Sequence, residues 1–108
     1  MIYELRTYLA EPGRLPALLM RFQDHTLRIW EKHGIRQAGF WTTQIGQNSQ
    51  RLFYLLVWEN MDEREKRWER FVADPEWIAI LAETERDGEL VRSISNEILA
   101  PTAFSSAK

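Results

Sequence analysis

The stretch LFYLLVW, residues Leu52–Trp58, is apolar or aromatic at every position. It is too short to span a membrane as a helix and is rich in strand-forming side chains, so it predicts a β-strand. Because successive side chains of a strand point to opposite faces, each face carries its own apolar set. One set is Phe53, Leu55 and Val57, and the other is Leu52, Tyr54, Leu56 and Trp58. Both faces of this strand therefore need cover from water.

The length of the chain limits where that cover comes from. We expect one domain over residues 1–108, a common domain size, and 44% hydrophobic residues are enough to build a core. The chain is too short for two helical layers and a sheet, so we expect a second copy to supply part of the cover in a homodimer or higher homo-oligomer.

Composition and charge exclude several function classes. A formal net charge of −2 and no basic run longer than two residues argue against a nucleic-acid partner. The absence of cysteine excludes a disulfide scaffold, a thiol nucleophile and a thiolate metal site. Strand-like residues follow Met1 directly and no segment has about 18 consecutive apolar residues, so we expect a cytoplasmic protein with no signal peptide and no membrane span.

The predicted elements run strand, helix, strand, strand, helix, strand. The strands are predicted at 2–9, 37–46, 51–59 and 89–99, and the helices at 14–33 and 61–73, with a further helical segment from Pro75. Asn60 with Glu63, and Asp74 with Pro75, are helix-start signals. This order predicts an α+β, ferredoxin-like βαββαβ fold with an antiparallel sheet, helices on one face, and the first and third strands at its centre.

Several short segments resemble the NIPSNAP family and occur in the family's order. They are YELRTY at 3–8, PG at 12–13, KHG at 32–34, GFWTT at 39–43, DPEW at 74–77 and ILAPT at 98–102. The resemblance covers nearly the whole chain and implies a dimeric α+β barrel, in which two ferredoxin-like sheets meet across a dimer interface. It implies no particular activity. The wider fold group includes cofactor-free monooxygenases, haem degraders and small-molecule binders, which is an analogy of fold only.

A ligand pocket is predicted between helix 14–33 and the sheet. Its candidate lining residues are His25, His33, Trp41, Phe53 and Trp77. Either histidine is a candidate general base or haem ligand, and the alternative is a structural histidine bonded to the backbone or closing the core. The two histidines are eight residues apart, roughly 12 Å along a helix, so one metal ion cannot join them. We predict no metal site and no cofactor.

A second set of candidates comes from the alternation of the strands. Tyr3, Leu5 and Thr7 are expected to face the helices, which places the opposite side chains of the first strand in the dimer interface. The polar interface candidates are Glu4, Arg6, Tyr8, Tyr54 and Trp58. Buried charges there need partners, either on the other chain or on the last strand, while a carboxylate- or phosphate-binding role for Arg6 is the alternative.

Three functions remain open from the sequence. The first is a homodimer that binds a small hydrophobic or aromatic molecule, as a simple binder or as a cofactor-free oxygenase or isomerase. The second is a haem-binding or haem-degrading protein that uses one helix histidine. The third is a non-enzymatic protein-interaction module. Whether the protein is an enzyme is not decided by any motif, since no phosphate-binding glycine loop or nucleophile elbow is present.

Overall fold

A computed structural model describes all residues from Met1 to Lys108 and shows one four-stranded antiparallel sheet. The strands are β1 (Ile2–Ala10), β2 (Arg36–Thr42), β3 (Arg51–Trp58) and β4 (Val91–Leu99). Their order in the sheet is β2-β3-β1-β4, with every neighbouring pair antiparallel. The predicted ferredoxin-like topology is confirmed, including the central position of the first and third strands.

The helices lie on one face of the sheet. They are α1 (Leu15–Arg21), α2 (Leu27–Lys32), α3 (Met61–Val72) and α4 (Pro75–Thr84). The single helix predicted at 14–33 is interrupted between α1 and α2 by a wide π-helical turn at Phe22–Thr26. The Thr26 hydroxyl donates to the Arg21 carbonyl, 3.3 Å away and five residues back, and so supports the wider turn.

Both predicted helix starts are confirmed. The Asn60 side chain accepts a hydrogen bond from the Glu63 amide at 2.9 Å, which caps α3. The Asp74 carboxylate accepts from the Glu76 amide at 2.8 Å, which caps α4, and Pro75 is the first residue of that helix. These caps fix where the second helical region begins over the sheet.

One prediction about β1 is wrong: the side chains expected at a dimer interface lie in the interior of the protomer. Glu4, Arg6 and Tyr8 are buried under the helices, and Tyr54 and Trp58 of β3 lie on the same side with no exposed surface. Cross-strand register explains the grouping, because Arg6 lies opposite Tyr54 and shares its face. Hydropathy alone misassigned the faces since these polar groups are buried as one mutually hydrogen-bonded set.

The other face of the sheet carries no helix. Tyr3, Leu5, Leu55 and Val57 are half-buried there, and Trp41 of β2 is 51% exposed. Residues after β4, from Ala100 to Ala107, border part of this face beside Tyr3. We call this side of the sheet the open face; it confirms that β3 is apolar on both sides.

None of the helices combines the length and the apolar character that crossing a membrane would require.

Candidate ligand-binding site

A cavity of about 540 Å³ lies between the helices and the helix-facing side of β1 and β4. Its lining comes from β1, α1, the π-helical turn, α2, α3, α4 and the residues leading into β4. The lining side chains are mostly apolar, as in small-molecule sites generally. The π-helical turn contributes Phe22 and Thr26 to the wall, so the irregularity of the first helical region lies at the cavity itself.

Behind one wall, the Glu4 carboxylate accepts hydrogen bonds from four side chains. Arg64 donates twice, at 2.7 and 3.1 Å, and Asn96, Arg6 and Trp58 donate at 2.9, 3.0 and 3.1 Å. Burial alone would raise the pKa of Glu4, but the hydrogen bonds from Arg64, Asn96 and Arg6 outweigh it and hold that pKa at about 2. Glu4 is therefore ionised in the folded protein, and its negative charge balances the positive charge of one of its two arginine partners.

The Arg6 guanidinium connects this carboxylate to two tyrosines. Its Nε donates to the Tyr54 hydroxyl at 2.8 Å, and a terminal nitrogen donates to the Tyr8 hydroxyl at 3.3 Å. Tyr54 and Tyr8 are themselves joined at 2.8 Å. Burial raises the pKa of Tyr54 well above its ordinary value, so its hydroxyl keeps its hydrogen. Arg6 and Tyr8 line the cavity, whereas Tyr54 lies behind them.

Aromatic rings form the apolar wall of the cavity. They are Phe22, Trp30, Trp68, Phe71 and Trp77. The rings pack edge to face or tilted, with centroid separations of 4.8 Å for Phe71 and Trp77 and 5.2 Å for Trp68 and Phe71. The Arg6 guanidinium lies 4.6 Å from the Trp68 ring centroid, which adds a cation–π contact to the same wall.

Arg21 supplies a second buried cation to the lining. Its guanidinium lies 5.5 Å from the Trp77 ring centroid, donates to the Thr84 hydroxyl at 3.3 Å and lies 3.7 Å from the Glu85 carboxylate. Its Nε has no hydrogen-bond partner although the atom is buried. Burial lowers the pKa of Arg21, and Glu85 opposes that shift. Arg92, which also lines the cavity, is exposed.

Of the five residues predicted to line the pocket, Trp77 alone lies in this cavity. His25 borders a separate hollow with Asp24, between α1 and the residues after α4. His33 lies at the end of α2, where its Nε2 is 2.6 Å from the Asp74 carboxylate, and Lys32 also contacts that carboxylate at 2.6 Å. His33 therefore ties the end of α2 to the cap of α4, which is the structural alternative for this residue.

The other two predicted residues lie on the opposite side of the sheet. Trp41 pairs with Phe53 across β2 and β3, and both point to the open face. Because no histidine lines the cavity, a haem placed there would find neither His25 nor His33 as a ligand. No three His, Asp or Glu side chains come together in a way that could hold a metal ion.

The residues that the sequence did not predict for the site include two arginines, Arg21 and Arg64, and the aromatic residues Phe22, Trp30, Trp68 and Phe71. The readable signal was on α3, where Arg64, Trp68 and Phe71 follow one another at spacings of four and three residues. A cation within an apolar stripe at helical spacing indicates a buried partner, which here is Glu4. Arg64 therefore differs from the other charged residues of α3, because it pairs with a carboxylate in the interior.

The fold and the sequence agree with those of known proteins. A family profile described as NIPSNAP matches residues 3–106. A NIPSNAP family protein of unknown function from Agrobacterium tumefaciens is 31% identical, with a TM-score of 0.86 over 98% of this chain and 92% of that one. An uncharacterised NIPSNAP domain protein from Burkholderia xenovorans is 28% identical, with a TM-score of 0.84 over 97% and 98% of the two chains. Protein NipSnap homolog 3B of mouse is 27% identical over 75 residues, 69% of this chain and 30% of the mouse protein. The chain belongs to the NIPSNAP family.

Proposed function

We propose that the protein binds a small aromatic or hydrophobic molecule in the cavity between the helices and the sheet. The observation that carries this proposal is the cavity of about 540 Å³, walled by aromatic rings and containing the buried polar pair Arg6 and Tyr8. A mostly apolar cavity with a few fixed polar groups is the usual form of a site that selects a small molecule. The sequence predicted a pocket in this layer, with Trp77 as the one predicted lining residue that lies in the cavity.

The proposal places the ligand against three tryptophans, Trp30, Trp68 and Trp77. Binding of an aromatic molecule is therefore expected to change tryptophan fluorescence, and titration calorimetry with a panel of small aromatic compounds supplies the affinity. A neutral probe such as 3-methylindole is suitable because it tests the apolar wall alone. Saturable binding with one site per chain is the expected result.

A cavity-filling substitution tests the location. Leu81 of α4 lines the cavity, so Leu81→Trp is expected to fill part of it and to weaken binding of 3-methylindole by about tenfold or more. Ile78 lies on the same helix and is 53% exposed, so Ile78→Trp is the matched control and should bind like the wild type. Equal binding by both variants would place the ligand elsewhere and contradict the proposal.

We also propose that the protein forms a homodimer through its open face. Leu5, Leu55 and Val57 present apolar surface that no helix covers, and two sheets packed face to face bury such surfaces. Sedimentation equilibrium at micromolar concentration should give twice the mass of the chain. Leu55→Arg should give a monomer, whereas Ile78→Arg, a charge placed at an exposed apolar residue of α4, should remain dimeric. A wild-type protein that sediments as a folded monomer would contradict this assembly.

A further inference from the structure

The direction of one hydrogen bond decides what the cavity offers to a ligand. Tyr54 has no exposed surface, and its hydroxyl has two neighbours, the Arg6 Nε at 2.8 Å and the Tyr8 hydroxyl at 2.8 Å. The arginine nitrogen is a donor with no capacity to accept. The Tyr54 hydrogen must therefore go to Tyr8, since leaving it unpaired in the interior would be costly.

This direction leaves Tyr8 with a hydrogen to give. The Tyr8 oxygen accepts from Tyr54 and from an Arg6 terminal nitrogen, which occupies both of its lone pairs. Its own hydrogen has no acceptor in the protein, and Tyr8 lines the cavity. A bound molecule that places an acceptor oxygen at Tyr8 would complete the chain from Arg6 through Tyr54.

Two other lining residues carry buried donors without an acceptor. The Nε1 of Trp30 and the Nε of Arg21 are both buried and unpaired, and both residues are more than nine-tenths buried. The carboxylates in the lining do not meet these groups. Glu85 is engaged by Arg21 and by the Leu90 amide at 3.4 Å, and Glu89 is exposed. The Trp30 and Arg21 nitrogens lie behind the cavity surface, so the Tyr8 hydrogen is the donor that the lining offers to a ligand.

The net charge of the lining also favours a ligand that is an acceptor of hydrogen bonds and carries a negative charge. Three arginines, Arg6, Arg21 and Arg92, face two glutamates, Glu85 and Glu89, which leaves one positive charge in excess. Behind the wall, Glu4 and Arg64 add one charge of each sign and leave the excess unchanged. A single negative charge on a ligand would balance it in a site where uncompensated charge is costly.

We propose that the ligand of this cavity is a small aromatic monocarboxylate, whose ring packs against the tryptophan wall and whose carboxylate accepts the Tyr8 hydrogen bond. This inference rests on the proposed function, because it requires that the cavity be occupied by a ligand at all. A carboxylate accepts hydrogen bonds and carries one negative charge, so it matches a lining that offers the Tyr8 hydrogen and has one cation in excess.

A matched series of three probes separates the two proposals: indole-3-acetate, indole-3-acetamide and 3-methylindole. They share a ring and differ in carrying a charged acceptor, a neutral acceptor or none. By titration calorimetry, indole-3-acetate is expected to bind about tenfold or more tightly than 3-methylindole, with indole-3-acetamide between them. Equal affinities across the series would overturn the carboxylate inference and leave the proposed function standing. Binding of none of the three would contradict both.

Variants test the donor and the charge. Tyr8→Phe keeps the ring. It is expected to weaken the binding of indole-3-acetate by about tenfold, while the affinity for 3-methylindole changes by less than about twofold. Tyr3→Phe, on the same strand but on the open face, should change neither. Arg92 is exposed, so Arg92→Gln provides a test that does not disturb the interior. The affinity for indole-3-acetate should fall by about two- to fivefold, and it should depend less on the salt concentration. Arg86→Gln, outside the lining, is its control. Unchanged indole-3-acetate affinity in both Tyr8→Phe and Arg92→Gln would overturn the inference.

Discussion

The hydroxyls of Tyr54 and Tyr8 lie 2.8 Å apart and belong to one chain of hydrogen bonds that begins at Arg6. Tyr54 is fully buried, while Tyr8 reaches the cavity. The pair therefore connects a charged group in the core with the surface that a ligand would touch. Because the chain has a fixed direction, the same residues serve both the stability of the core and the selectivity of the cavity.

The first prediction concerns the chain of hydrogen bonds from Arg6 through Tyr54 to Tyr8. Tyr54→Phe removes the acceptor for the Arg6 Nε and the donor to Tyr8, and is expected to lower the free energy of unfolding by about 1–3 kcal/mol. Urea unfolding followed by circular dichroism measures the change. Tyr3→Phe alters a tyrosine on the open face and should stay within about 0.5 kcal/mol of the wild type. Equal losses in the two variants would show that the Tyr54 hydroxyl has no special role.

The second prediction concerns pH and Glu4. The pKa of Glu4 is about 2 in the folded protein and 4.5 ordinarily, so its contribution to stability is complete above about pH 4.5 and is lost as the pH falls toward 2. Protonation would leave Arg6 and Arg64 without their shared counter-charge. The melting temperature of the wild type is therefore expected to fall across this range.

Glu4→Gln checks that assignment. It removes one member of a buried ion cluster and is expected to cost about 3–5 kcal/mol near neutral pH. Asp74 also has a lowered pKa, through Lys32 and His33, and adds acid sensitivity to both proteins. The difference in melting temperature between the wild type and Glu4→Gln therefore reports the contribution of the ionised Glu4 carboxylate. This difference should shrink as the pH falls from 5 to 2.5. Glu97→Gln, on exposed β4, is the control and should follow the wild type. A constant difference would contradict the role of Glu4.

The third prediction separates two roles of Asp74. Its carboxylate caps α4 through the Glu76 amide and also contacts His33 and Lys32 at 2.6 Å. Asp74→Ala removes both roles and is expected to lower the melting temperature by roughly 4–8 °C. Asp74→Asn retains a good capping side chain and should lose less. If the asparagine variant is as unstable as the alanine variant, the contacts with α2, and not the cap, carry the stabilisation.

The fourth prediction concerns Gly34, just after α2. Its φ of +72° is strained for other residues, and a methyl group there would overlap the Arg67 guanidinium, which donates to the Gly34 carbonyl at 2.7 Å. Gly13 has a φ of +77° with nothing near it. Gly13→Ala should cost about 1–2 kcal/mol from the backbone alone, and Gly34→Ala should cost more because Arg67 must move. Thermal unfolding of the two variants compares them directly, and equal costs would remove Arg67 from the account.

The fold followed from the sequence because its signals are local. The unbroken apolar run of β3 and the capping residues Asn60 and Asp74 each report on a few neighbouring residues, and the order of the elements follows from such local signals. The interruption of the first helical region was not readable, because a π-helical turn depends on tertiary packing, here that of Phe22 against Tyr8 and Tyr54 of the sheet. The strands predicted at 37–46 and 89–99 are shorter in the structure, where β2 ends at Thr42 and β4 begins at Val91.

The site followed less well because it depends on long-range pairing. Glu4 and Arg6 read as interface residues when hydropathy alone decides which face is inside. Their partners, Arg64 and Tyr54, are about 50 to 60 residues away, and no local pattern links them. Similarly, the sequence gives no reason to separate Trp41 from Trp77 as pocket residues. The register of β2 and β3 places Trp41 on the open face, while Trp77 on α4 lines the cavity.

The central claim is that the cavity bounded by Tyr8, Trp68 and Trp77 holds a small aromatic molecule. A crystal structure of the protein grown with indole-3-acetate tests it most directly. We predict ring density against Trp68 and Trp77 and a carboxylate oxygen within hydrogen-bonding distance of the Tyr8 hydroxyl. A cavity that remains empty, or a probe seated instead on the open face, would contradict the account.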